Sequence, residues 1–355
     1  MNSNSVCSFY LLFLAANANG YNTSTDFVLV ADRVNAAIFI GDLGDFDLSP
    51  LPLGNLSAPI AVDYDPVDGM VYWTDFVDTT ILRAHLDGSR REILIWSGLV
   101  EPNGLALDYH TRLMFWTDGR RGNKIERASM DGGDRRVIVS QHLKKPRAIA
   151  VDQKERHIYW SSWGNRAKIE RADYNGNHRM VLVDASIIWP NGIALDLTGG
   201  LLYWGDAQRN TLERSDLSGN NRRTLFNFTG IYPFDLAVHG DTLYWTDWNS
   251  DFVLKLNMTQ MEVYAAGSHI FSRATGIHVH CTQGSPINAG TDHINTNDPT
   301  PLAFSESTAS LPTTIAPVVE NGIDAWDGIS HRSAGAVHLA NIFPMVVIQV
   351  LLVSI

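Results

Sequence analysis

Leu113-Met114-Phe115-Trp116-Thr117-Asp118 is an apolar, aromatic run closed by a short acid, and the chain carries relatives of it at regular intervals. They are Tyr72-Trp73-Thr74-Asp75, Tyr159-Trp160-Ser161-Ser162, Tyr203-Trp204-Gly205-Asp206 and Tyr244-Trp245-Thr246-Asp247. Successive tryptophans lie 43, 44, 44 and 41 residues apart. A fixed period of about 40 to 50 residues built on aromatic strands signals radially repeated β structure.

The unit around Trp116 reads as four strands. Asn103-Gly104-Leu105-Ala106-Leu107-Asp108 is the first, Leu113 to Asp118 the second, and Ile125-Glu126-Arg127-Ala128-Ser129-Met130 the third. Asp131-Gly132 suits a two-residue hairpin turn with positive φ, and Arg136-Val137-Ile138-Val139 returns as the fourth. Asp87-Gly88, Asn175-Gly176 and Ser218-Gly219 repeat that turn, each followed closely by an arginine. In a ring of blades both faces of a strand are covered, so adjacent Tyr and Trp can fill different interfaces. The Asp ending the second strand suits the capping of backbone N–H groups where the chain leaves the sheet.

Five such units run from about Ala58 to Gly267. Phe27 to Asp32 and Ile38-Phe39-Ile40 remain unassigned at the start, and Ala274 to Val279 resembles a first strand without a blade. Joining the two ends completes a sixth blade and leaves no exposed edge. The expected fold is all-β: a six-bladed β-propeller of four-stranded antiparallel blades, spanning 27–281 and closed by N- and C-terminal strands.

The flanks read differently. The apolar run from Val6 to Ala16, followed by Ala16-Asn17-Ala18, suits a signal peptide over 1–18, although a positive n-region is missing. A short lead covers 19–26. Residues 282–333 are rich in Thr, Ser, Pro, Asn and Gly and read as a disordered, O-glycosylated stalk. The apolar end, 334–355, follows Ser333-Ala334-Gly335 and reads as a GPI-attachment signal with Ser333 as the acceptor, or as a weak membrane tail, or as a misjoined gene end. Sequons at Asn22, Asn55, Asn227 and Asn257 support export, so the chain is expected to be secreted or held on the outer face of the plasma membrane. A net charge of -11 without a basic cluster argues against nucleic acid and fits a basic protein surface. The chain has two cysteines, Cys7 and Cys281; loss of the leader leaves Cys281 as an odd thiol, available for a disulfide-linked dimer.

The repeated Tyr-Trp-Thr-Asp strand with its Pro-Asn-Gly-Leu-Ala-Leu-Asp lead resembles the class B repeats of low-density lipoprotein receptors. The run from Lys168 to Ala172 and on through Ile188-Trp189-Pro190-Asn191-Gly192 looks most like the amino-terminal propellers of the Wnt co-receptor branch. The resemblance implies an extracellular module that binds protein ligands and is not an enzyme. Loops entering first strands and leaving second strands share one end of the ring, because antiparallel strands alternate direction. That end gathers Asn103, Arg147, Trp163, Trp189, Asn191, Phe234 and Trp248, a composition typical of binding hot spots. The resemblance further implies a Wnt or a Wnt inhibitor with an Asn-x-Ile loop as partner, with Asn191 pairing the ligand asparagine and Trp189 and Trp163 walling the isoleucine slot. Asp78, Asp235 and Asp251 are candidates to complement a basic ligand. The chain departs from the family in showing no cysteine-rich module after Cys281.

Other readings compete. The five repeat tryptophans are structural. His278-Val279-His280 beside Cys281 offers donors for zinc but no clear fourth ligand, so neither a metal nor another cofactor is expected. H-E-x-x-H, G-x-S-x-G and P-loop patterns are missing. A metal-dependent propeller hydrolase such as a lactonase would use Asn103 and Asn191 near the mouth, but the inner positions are expected to repeat without a stray acid. Matrix adhesion of the nidogen type, or lipoprotein-receptor-type ligand binding, is the alternative binding function.

Overall fold

Alternating and continuous apolar runs, cut by Gly- and Asp-rich turns, become short strands throughout the computed structural model, which describes residues 26–120, 123–267 and 270–282. The expected signal segment, the stalk beyond 282, the C-terminal tail, Asn22 and Ser333 lie outside the described residues. Among the described residues no helix is long and apolar enough to cross a membrane.

Strands β1 (Phe27–Asp32), β2 (Ala37–Asp42) and β3 (Ser49–Pro50) open the first blade. The second blade holds β4 (Pro59–Asp65), β5 (Met70–Asp75), β6 (Thr80–His85) and β7 (Glu92–Ile95). The third holds β8 (Pro102–Asp108), β9 (Leu113–Asp118), β10 (Lys124–Ser129) and β11 (Arg136–Val139). In the fourth are β12 (Pro146–Asp152), β13 (His157–Ser162), β14 (Lys168–Asp173) and β15 (Met180–Val183). In the fifth are β16 (Pro190–Asp196), β17 (Leu201–Asp206), β18 (Thr211–Asp216) and β19 (Arg223–Asn227). The sixth comprises β20 (Pro233–His239), β21 (Thr242–Asp247), β22 (Val253–Asn257) and β23 (Glu262–Ala266). Finally β24 (Ala274–His280) pairs antiparallel with β1 and supplies the inner strand of the first blade. The ring therefore closes through strands from both ends, as the sequence leads one to expect.

The Tyr-Trp pair explains the packing between blades. Trp73 joins Leu29 and Ile38 of the first blade in one core cluster, while Tyr72 joins Leu105 and Trp116 of the third blade in the next. Phe115 likewise faces Trp160, and Tyr159 faces Trp204. All five repeat tryptophans are fully buried, stabilising by about 5 kcal/mol each before entropy is counted. The following hydroxyl serves the inner strands. Thr117 Oγ1 accepts from Gly104 N–H at 2.9 Å, at a bulge in its own blade, and donates to Arg147 O of the next. The strand-ending acid caps the turn as expected: Asp75 accepts from Ser57, Ala58, Val77 and Asp78 N–H groups.

The third turn differs from the two-residue hairpin expected. Residues 130–135 separate β10 from β11, with Gly132 N–H donating to Ser129 O and Ser129 N–H to Gly133 O, both at 2.8 Å. The glycine is required twice over. At Gly176 φ is +80°, and a Cβ would lie 2.0 Å from Ile138 O of the preceding blade; Gly88, Gly132 and Gly219 meet the preceding blade in the same way. The arginine after the turn then reaches over the seam. Arg179 donates to Gln141 O and His142 O of the third blade, forks onto Glu170 of its own, and lies 5.3 Å above the Trp160 ring. Arg91, Arg135 and Arg222 repeat the clamp over Trp73, Trp116 and Trp204.

Candidate functional site

Each inner strand begins where the second strand of its blade ends, as in the pairings Pro102↔Asp118, Pro190↔Asp206 and Pro233↔Asp247. This register places three sets of side chains on one end of the ring. The second residues of the inner strands, including Asn103, Arg147, Asn191 and Phe234, surround the channel mouth. The residues preceding the inner strands include Glu101, Trp189, Tyr232 and Arg273. The residues following the second strands include Arg33, Phe76, Trp163 and Trp248. Backbone bonds lock the last two sets together: Trp163 N–H donates to Lys145 O, Trp248 N–H to Tyr232 O and Arg33 N–H to Arg273 O, each at 3.1 Å.

The seven residues expected at this end are all there, but they play unequal parts. Arg147 Nη1 is 3.0 Å from Glu101 Oε1 and 3.1 Å from Asn103 Oδ1, and its Cζ lies 3.9 Å above the Trp163 ring. Trp163 stacks on Trp189 at 5.6 Å and 21°, and its Nε1 donates to Pro190 O. Trp189 meets Tyr232 at 6.4 Å, Tyr232 stacks on Trp248 at 5.3 Å and 7°, and Trp248 stacks on Phe234 at 4.8 Å and 14°. Arg273 ends the series, 4.8 Å above Trp248. One continuous arc of aromatic rings, held at each end by an arginine, thus crosses from the fourth blade round to the first.

Asn103, Arg147, Trp163 and Asn191 are buried rather than exposed loop residues. Asn191 Nδ2 is committed to Pro233 O at 2.8 Å, so the side of the amide left to a ligand is Oδ1. Trp189, Tyr232, Phe234 and Trp248 are half-buried and provide the reachable apolar surface. Tyr232 and Arg273 were beyond the expected set, although each directly precedes an inner strand as Trp189 does. Burial, and then the neighbouring Arg273, lower the pKa of Arg33, while burial raises that of Tyr232. The charge on this end therefore includes closely spaced arginines. Of the acids expected there, Asp78 accepts from Ser57 Oγ at 2.8 Å, whereas Asp235 stands in the channel wall.

The channel corrects another expectation. Its cavity of about 300 Å³ is lined by inner strands that mostly carry Gly or Ala at the third and fifth positions. Asp235 replaces a third-position Gly or Ala, and Asp63 and His278 replace fifth-position alanines, so stray titratable groups do break the pattern. His278 Nδ1 lies 2.8 Å from Asp63 Oδ1, and Asp235 Oδ2 accepts from Ile277 N–H at 3.1 Å. Burial is the main cause that pushes the Asp235 carboxyl up to about 7. These groups tie the inner strands of the sixth, first and second blades together; Asn103 and Asn191 point their amide nitrogens at Glu101 O and Pro233 O and do not complete an acid-lined metal cage with them.

Comparison with known proteins agrees with this architecture. The family model for low-density lipoprotein receptor repeat class B matches residues 69–109, 112–153 and 156–197. Mouse nidogen-2 is 49% identical over 63 residues, covering 18% of this chain and 4% of that protein. Mouse low-density lipoprotein receptor-related protein 5 is 40% identical over 85 residues, covering 24% of this chain and 5% of that protein. These matched segments are a small fraction of the length of either relative. Among solved structures, a chain of the nidogen/laminin complex superposes with a TM-score of 0.67 and 30% identity over 72% of this chain and 98% of its own.

Proposed function

This chain belongs to the low-density lipoprotein receptor class B repeat family, and from that premise we propose that it is an extracellular protein-binding propeller, without catalysis, whose aromatic end receives a loop of a protein ligand. The arc from Arg147 to Arg273 carries this reading. Flat, half-buried rings offer large contact area at small entropy cost, and the half-buried Arg273 at one end can fix a polar ligand group. Similarity to low-density lipoprotein receptor-related protein 5 supports the Wnt co-receptor branch, with a Wnt or an inhibitor loop of Asn-x-Ile type as ligand. In that reading the ligand asparagine N–H donates to Asn191 Oδ1 and the isoleucine lies against Trp189. A second reading, nidogen-like matrix adhesion, draws support from near-complete overlap with the nidogen propeller of a nidogen/laminin complex.

One binding experiment separates them. The purified chain is presented with Asn-x-Ile peptides and with a laminin-type module, beside Trp189→Ala and Trp248→Ala. Loss of a central aromatic anchor costs about 2 kcal/mol, or roughly 30-fold in Kd. Binding of one ligand, weakened by both variants, selects the reading; binding unaffected by either variant refutes the aromatic end as the site. Surface attachment through Ser333 is part of the same proposal, and persistence of the chain on cells treated with phosphatidylinositol-specific phospholipase rules it out. Glycans are proposed at Asn22, Asn55, Asn227 and Asn257; Asn55 and Asn227 are exposed, and Asn257 keeps its Nδ2 clear while Oδ1 caps Thr259 and Gln260 N–H. An unchanged mass after glycosidase treatment of the secreted chain argues against all four.

A further inference from the structure

Inner strands end on a repeated residue at the face opposite the aromatic arc. In four blades it is Asp65, Asp108, Asp152 or Asp196, and each carboxylate caps the following turn: Asp108 accepts from His110 and Thr111 N–H, and Asp152 from Lys154 and Glu155 N–H, all at 3.0 Å. The two inner strands that flank the ring closure break this rule, with His239 ending β20 and His280 ending β24. Among the described residues, neither imidazole accepts a hydrogen bond from the turn that follows it. Instead His239 Nδ1 lies 2.9 Å from Cys281 Sγ. Asp26, at the entry to β1, completes a group whose donor atoms all lie within 4.8 Å of one another. Thr282 N–H and Oγ1–H both bond Asp26 Oδ1, at 2.8 and 3.0 Å, which orients the carboxylate. This is the arrangement of an outer hydrogen-bonding shell around a metal ligand.

We propose that Asp26, His239 and Cys281 bind a zinc-class divalent cation that fastens the ring closure. One nitrogen, one sulfur and one oxygen donor suit a tetrahedral ion whose fourth place is taken by water. Ligand atoms around such an ion stand about 3.3 to 3.8 Å apart given bonds of about 2.0 to 2.3 Å, so the Sγ–Nδ1 pair opens by about half an ångström on binding. The thiol releases its proton to solvent, Nδ1 binds through its lone pair while Nε2 keeps the ring proton, and thiolate plus carboxylate balance the dication. The three ligands come from the chain entering β1, the end of β20 in the sixth blade, and the exit from β24. The ion would therefore join the sixth blade to both chain segments that close the first, at a seam where Cys281 is the one cysteine of the described residues.

The test uses the full chain, reduced and stripped of metal, titrated with cobalt(II) and then zinc. The expected result is one equivalent of tetrahedral cobalt with a thiolate-to-cobalt charge-transfer band, displaced by zinc, and a rise in Tm with zinc. Cys281→Ser should abolish the band. His239→Asn, which restores a turn-capping side chain and so favours folding, should weaken cobalt binding by at least about tenfold, the smallest effect expected when a metal site is altered. Near-UV circular dichroism verifies that both variants are folded. Absence of the band from the folded wild-type chain, retention of it in Cys281→Ser, or a purified chain whose Cys281 is held in a disulfide with another cysteine would each overturn the proposal.

Discussion

Replacing Arg179 by alanine tests whether the seams are held by the forked clamp. Nε and Nη2 each lie 2.8 Å from a Glu170 oxygen, and the Glu170 side chain is only 2% exposed. Breaking a buried pair by removing one partner costs about 3 to 5 kcal/mol. The lower end applies, because Lys168 Nζ stays 2.9 Å from Glu170 Oε1 as a remaining counter-charge. Losing the stack on Trp160 and the bonds to Gln141 O and His142 O adds about 1 kcal/mol, giving a total of about 4 kcal/mol. For a ring of this size the unfolding entropy is on the order of 0.5 kcal/mol/K, so Tm should fall by about 8 °C. Arg91→Ala is the internal control. It spans its seam through Leu53 O and Asn55 O, but Leu82 stands where the other blades carry the glutamate, so it should lose only about 1 kcal/mol, or about 2 °C. Calorimetry of both variants decides. Equal shifts, or a loss below about 1 kcal/mol in Arg179→Ala, would refute the claim that the carboxylate-anchored fork dominates the seam.

Gly176→Ala should prevent folding or destabilise by more than about 3 kcal/mol, since the new Cβ meets Ile138 O at 2.0 Å in a left-handed backbone; urea titration of the purified protein reads it. For Asp235, a folded pKa of about 7 lies above the unfolded value near 3.9, so the folded state holds the extra proton and stability is lost as pH rises from about 4 through 7. Linkage alone would set that loss at about 4 kcal/mol, and the carboxylate's partial opening to the channel brings it to about 2 kcal/mol through solvent screening. Asp235→Asn should therefore be more stable than the wild type at pH 8 and lose that advantage near pH 4, as judged by denaturant midpoints; an advantage that grows on acidification contradicts the assignment.

Much of the ring is legible because its determinants are local. Trp73, Trp116, Trp160, Trp204 and Trp245 each need two neighbours to bury them, which dictates repetition, and the unpaired strands at 27–32 and 274–280 have only each other. The two-residue strand Ser49–Pro50 carries no such signal: it is too short for periodicity, and proline is a poor strand former. The aromatic arc is half legible. Trp163, Trp189, Phe234 and Trp248 stand out as loop-end aromatics, and Tyr232 and Arg273 follow once the residues preceding each inner strand are aligned. The burial of Asn191 and Arg147 does not follow from their own sequence neighbourhood, because Pro233 and Glu101, which satisfy them, belong to other blades. Asp63, Asp235 and His278 depart visibly from Gly and Ala, but what they do in the channel depends on blades brought together only by closure.

The arginine clamps all reach back from one blade to the one before, and four seams have one. The third turn of the sixth blade reads Asn257-Met258-Thr259-Gln260-Met261, and the corresponding turn of the first blade runs from Asp42 to Asp47; neither contains arginine. Both seams of the sixth blade thus lack the clasp and rest on inner-strand bonds such as Asn191 Nδ2 to Pro233 O and Ile277 N–H to Asp235 Oδ2. Amide exchange should be fastest at those two boundaries. Tyr232, Phe234 and Trp248 belong to the sixth blade, while Trp163 and Trp189 belong to the fourth blade and the entry to the fifth. Any ligand gripping both groups of rings spans an unclasped seam and supplies a cross-link that the missing arginine does not.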